Sequence, residues 1–68
     1  MKQLDARGLS CPEPVIMIRK AMMTRNNEYE MIVDNPTSKE NVMRYAEHQG
    51  YQVSITENSG EYTLYMKK

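Results

Sequence analysis

A chain of 68 residues lies near the lower end of what folds unaided and has little room for both an extensive core and a deep substrate pocket. Nine basic and nine acidic residues are interspersed and give a formal net charge of zero, so the basic face of a nucleic-acid binder is missing and no direct nucleic-acid contact is expected. The single cysteine excludes an internal disulfide and a CxxC redox pair, points to a reducing compartment, and with one histidine cannot supply a four-ligand zinc site. The longest apolar run, 15–18, is far too short to span a membrane, and no targeting segment is recognisable, so the expected location is cytoplasmic. Seven methionines and no Phe or Trp mean that some packing falls to an adaptable side chain.

In chain order, residues 2–5 read as a short first strand, followed by a turn at Arg7-Gly8. From Pro12 to about Arg25 the spacing is helical, with Val15, Ile18, Ala21, Met22 and Arg25 on one side. Two start signals compete there. Ser10-x-x-Glu13 fits a capping box, whereas Pro12 suits the first helical position and would make Cys11 the N-cap. Asn26-Asn27 ends the helix, and residues 29–33 read as a largely buried strand. Asp34-Asn35-Pro36 is a turn, and Thr37-x-x-Glu40 a second capping box. The helix it opens carries Val42, Tyr45, Ala46 and Gln49 on one stripe, and Gly50 suits its C′ position. Tyr51, Val53 and Ile55 then alternate with polar residues. Asn58-Ser59-Gly60 turns the chain into a last strand with Tyr62, Leu64 and Met66 inward.

The order β-α-β-α-β-β predicts an α+β two-layer sandwich, with a mixed four-stranded sheet and both helices on one face, over residues 1–68 as one domain. Both helix N-termini should then emerge at one edge of the sheet, where backbone donors favour an anionic sulfur. Cys11 sits where a helix begins, among unpaired N–H groups and the positive end of the dipole. Both favour a nucleophilic thiolate. The plain alternative is a buried structural thiol. Arg7 would lower the thiol pKa, whereas Asp5 and Glu13 would raise it. Gly8 suits a backbone angle that other residues resist. His48, at the far end of the second helix, is poorly placed as a general base. Pro12, Ile16, Arg19 and Met23 form a second stripe on the first helix. It is either the margin of a broad core or a docking surface beside the thiol.

The run Asp5-Ala6-Arg7-Gly8-Leu9-Ser10-Cys11-Pro12-Glu13-Pro14 resembles the signature of the TusA/SirA/YedF sulfur-carrier family: an Asp-x-x-Gly lead-in, then Cys-Pro-x-Pro, then an apolar and basic helix. The stretch Val33-Asp34-Asn35, through Glu40-Asn41-Val42 to Tyr45-Ala46 and Gly50-Tyr51, looks most like the amino-terminal domain of YedF-type proteins, which usually continue into a second domain. The resemblance implies a sulfurtransferase-type carrier that needs no cofactor or metal. Cys11 would bear sulfane sulfur as a persulfide, supported by Asp5, Arg7, Gly8, Pro12, Glu13 and Pro14. It implies a protein donor, such as a cysteine desulfurase or rhodanese, and a protein acceptor, with a membrane thiosulfate transporter as a further candidate partner. Alternatives are a selenium- or thiosulfate-linked carrier of the same family and a non-catalytic interaction or regulatory module.

Overall fold

The computed structural model describes residues 2–10 and 12–68, with the backbone alone at Lys2; Met1 and Cys11 lie outside the described residues. The elements are β1 (Lys2–Asp5), α1 (Glu13–Met22), β2 (Glu28–Val33), α2 (Pro36–His48), β3 (Gln52–Asn58) and β4 (Glu61–Lys67). The sheet runs β1-β2-β4-β3. β1 and β2 pair in parallel, and β4 is antiparallel to both β2 and β3. This is the expected α+β order and mixed sheet. Tyr29, Met31 and Val33 of β2 and Leu64 and Met66 of β4 form one buried cluster with Ile18, Ala21, Val42 and Ala46 of the helices.

Burial along β2 alternates, with Glu28, Glu30 and Ile32 only partly covered, so the expectation of a largely buried strand is corrected to a one-faced one. The physical reason is the two-layer architecture. Among the described residues no element covers the second sheet face, and a strand then keeps alternate side chains in water. The alternation expected for β3 also weakens towards its hairpin. Tyr51 is buried and Val53 half-buried, but Ile55 is 37% exposed because β3 is an edge strand. Ser59 and Gly60 close the β3–β4 hairpin with φ of 53° and 80°, both positive as a two-residue I′ turn requires.

Helix boundaries depart from the sequence reading in three places. α1 begins at Glu13 with Pro12 as N-cap and without a side-chain cap, so neither Ser10 nor Cys11 opens it. The Glu13 N–H instead donates to the Ser10 carbonyl at 2.9 Å, a tight turn that precedes the helix. At the other end α1 stops at Met22 rather than near Arg25. The Ala21 carbonyl is taken by the Thr24 hydroxyl at 2.7 Å and by the buried Tyr29 hydroxyl at 2.9 Å, and Arg25 turns left-handed with φ of 60°. Arg25 is therefore off the core stripe and exposed. The fully covered positions of α1 are Pro14 and Ile18, with Ala21 nearly so and Val15 and Met22 half-buried.

The cap of α2 is Asn35, not Thr37. Its side-chain oxygen accepts from the Ser38 N–H at 2.7 Å, and Pro36 occupies the first turn, where its missing N–H costs nothing. Gln49, expected on the buried stripe, is the exposed C-cap. Beyond it Gly50 has φ of 92°. Its N–H donates to Glu47 and that of Tyr51 to Ala46, each at 3.0 Å, which is a Schellman closure.

Candidate functional site

The two loops that precede the helices lie at the C-terminal ends of the parallel strands β1 and β2 and are joined by hydrogen bonds. The Ala6 N–H extends the ladder to the Ile32 carbonyl at 2.9 Å, and Ala6 is fully buried. Gly8, with φ of 79°, donates its N–H to the Asp34 carboxylate at 2.8 Å. The chain segment leading to Cys11 is thus anchored to the loop that caps α2. Among the described residues nothing would lie within 4 Å of a Cβ at Gly8, so the glycine serves the left-handed angle rather than a close approach.

Asp5 and Arg7 form a local clamp. The Arg7 backbone N–H and Nε each donate to Asp5 Oδ1 at 3.0 Å, and Nη2 reaches Oδ2 at 2.7 Å. Nη1 lies 3.5 Å from a Glu61 carboxylate oxygen on β4. The Arg7 hydrogen bonds hold the Asp5 carboxyl down at about 2, and the same contacts raise the guanidinium above its ordinary value. The clamp is exposed, so its worth lies in the shape of the turn. Two carboxylates already balance the Arg7 charge.

Pro12 and Glu13 are exposed at the start of α1, whereas the Pro14 side chain is fully buried and belongs to the core. The donor-rich terminus expected there is thinner than the sequence suggested. Pro12 and Pro14 carry no N–H, and that of Glu13 is engaged with Ser10. Among the described residues the start of α1 therefore offers chiefly the axial dipole of a ten-residue helix.

Ile16, Arg19 and Met23 lie outside the core, with Ile16 42% and Met23 76% exposed. They border two shallow grooves on the outer side of α1, one lined by Leu9, Glu13, Ile16, Met17 and Lys20 and the other by Ile16, Arg19, Lys20 and Met23. His48 is exposed in the last turn of α2, away from both loops. Among the described residues no cluster of three or more His, Asp or Glu side chains could hold a metal ion, and no helix is long and apolar enough to cross a membrane.

Sequence reasoning missed Asp34, Glu61, Leu9, Met17 and Lys20. Asp34 had a signal, because a carboxylate in a turn beside a helix start often accepts backbone N–H groups. Glu61 had none, since it meets Arg7 across 54 positions of chain.

The class of domain follows from the fold. A crystal structure of a SirA-like protein from Desulfitobacterium hafniense matches with a TM-score of 0.89 and 31% identity, covering 98% of this chain and 96% of that one. A Methanocaldococcus jannaschii protein described as a "putative sulfur carrier protein" is 35% identical over 71 aligned residues, covering 100% of this chain and 95% of its own length. The family model described as "Sulfurtransferase TusA" matches residues 2–68, and the chain belongs to the TusA family.

Proposed function

We propose that this protein carries sulfane sulfur as a persulfide on Cys11, receiving it from one protein and delivering it to another within the cytoplasm. The observation that carries the reading is the match to the TusA family across residues 2–68, which includes the Cys-Pro-x-Pro run. The anchored loop supports it: a carrier thiol gains from a stiff mount, and the Gly8–Asp34 bond and the Asp5–Arg7 clamp restrain residues 5–8 while Pro12 and Pro14 restrain the start of α1.

The chemistry is two displacements at sulfur. The Cys11 thiolate attacks the outer sulfur of a donor persulfide, the donor's S–S bond breaks, and the donor leaves as a thiolate. Cys11 then holds the persulfide. An acceptor nucleophile attacks that outer sulfur, and Cys11 leaves as the thiolate that began the cycle. No net oxidant is consumed, and the protein needs neither metal nor cofactor. The donor is of the cysteine desulfurase or rhodanese type, and both partners dock on the outer side of α1, where Ile16 and Met23 offer apolar surface beside Arg19 and Lys20.

The test uses a cysteine desulfurase with isotopically labelled cysteine. Labelled sulfur is expected on the native chain and none on Cys11→Ser, with unchanged circular dichroism. Labelling of the Ser variant would overturn the assignment, and its unfolding would return Cys11 to the core.

A further inference from the structure

The two edges of the sheet are built differently. β1 is four residues long, ends at Asp5 and is followed by the Arg7 clamp. A short, charged edge of this kind resists pairing with another chain. β3 is seven residues long and pairs with β4 in unbroken register from Gln52 to Asn58. It contains no proline, and Glu57 is its only charge. It also leaves Ile55 37% exposed, in the row that Leu64 and Met31 continue into the core.

The hairpin fixes which groups face outward. Asn58 and Glu61 close a two-residue turn and form a closely spaced, hydrogen-bonded pair. Alternation along the ladder makes Thr56/Thr63, Ser54/Tyr65 and Gln52/Lys67 the other bonded pairs. The N–H and C=O groups of Val53, Ile55 and Glu57 therefore point away from β4, along the open edge.

We propose that two copies of this chain join through β3, antiparallel and centred on Ile55, into one continuous sheet. Ile55 then faces Ile55, and Val53 faces Glu57, each as a closely spaced pair exchanging both backbone hydrogen bonds. The charges are complementary. Glu57 of one copy lies diagonal to Tyr51 of the other, within reach of a long side chain. The Lys68 ammonium rests 5.1 Å from the Tyr51 ring centroid, and neither Glu57 nor Lys68 has a salt-bridge partner among the described residues. The two Glu57 side chains stand about 13 Å apart along the ladder, beyond the Debye length of about 8 Å. The formal net charge of zero adds no general repulsion. The join lies at the opposite end of the sheet from β1 and leaves the loop before α1 free in both copies.

A single strand pair is a small interface beside the roughly 1,200–2,000 Å² of stable complexes, so association appears in concentrated protein. Sedimentation equilibrium is expected to show the mass rising from 8.0 kDa towards twice that value at about 1 mM chain, and Ile55→Lys is expected to abolish the rise with circular dichroism unchanged. Cross-linking tests the register independently of that variant. In a Cys11→Ser background, Ile55→Cys should oxidise to a linked dimer, since closely spaced pairs lie about 5.5 Å apart, within disulfide span. Ser59→Cys in the same background should not. A mass that stays at 8.0 kDa at every concentration, an unchanged association of Ile55→Lys, or equal linking through Ser59→Cys would each overturn the proposal.

Discussion

Two opposed influences are proposed for the Cys11 thiol: the dipole of α1 would favour its thiolate, while the Glu13 carboxylate, two residues on in the sequence, would disfavour it. The expected alkylation midpoint with iodoacetamide is below the ordinary thiol value of about 8.5, and Glu13→Gln should lower it further. A midpoint at or above that value in the folded protein would remove the dipole argument. Asp5 gives a second pH signature. Its carboxyl is held at about 2 against an ordinary 3.8, so the clamp contributes stability above the ordinary value and loses that contribution as pH falls through about 2. Urea midpoints followed through the acid range should show that limb in the native chain and a flatter one in Asp5→Asn. Residue roles were unevenly legible. The need for Gly8 was visible in the turn it occupies, and Cys11 in its motif. The full pairing of Arg7 was not legible, because its second carboxylate, Glu61, comes from the last strand.

At the scale of elements, periodicity revealed the helices and strands, and their ends were decided by side chains that periodicity does not see. Thr37-x-x-Glu40 has the form of a capping box, yet Asn35 caps α2, because Pro36 prefers the first turn and takes the start two residues earlier. Asn35→Ala is therefore expected to cost about 1 kcal/mol in urea denaturation, and Thr37→Ala only a few tenths. Equal losses would restore the capping-box reading. The early stop of α1 has a tertiary cause, since the Tyr29 hydroxyl that takes the Ala21 carbonyl belongs to the next strand. The outer stripe of α1 is exposed, so Ile16→Asp with Arg19→Glu should leave circular dichroism and small-reagent alkylation of Cys11 unchanged while slowing transfer between proteins by tenfold or more. Equal slowing towards small reagents would make the stripe an internal support of the site instead.

For the molecule as a whole, the element order restricted the topology to few choices, because β-α-β crossovers are right-handed and a tight turn makes the last two strands antiparallel. The place of β4 between β2 and β3 follows from the hairpin folding back into the sheet centre, which puts Leu64 and Met66 beside Met31 and Tyr29. That arrangement makes β3 an edge, which local patterning could not reveal, and it leaves one sheet face in water, as the polar alternation of the last two strands suggests. It also sets both helix starts at one end of the parallel pair, where the Gly8–Asp34 bond ties the loop before α1 to the loop before α2. The most direct test of a carrier role is intact-mass spectrometry of the native protein, purified without reductant, before and after treatment with dithiothreitol. The expected result is a species heavier by one sulfur atom, mapped to the peptide containing Cys11 and removed by the thiol. A native protein that never carries that added sulfur, even after incubation with a persulfide donor, would contradict it.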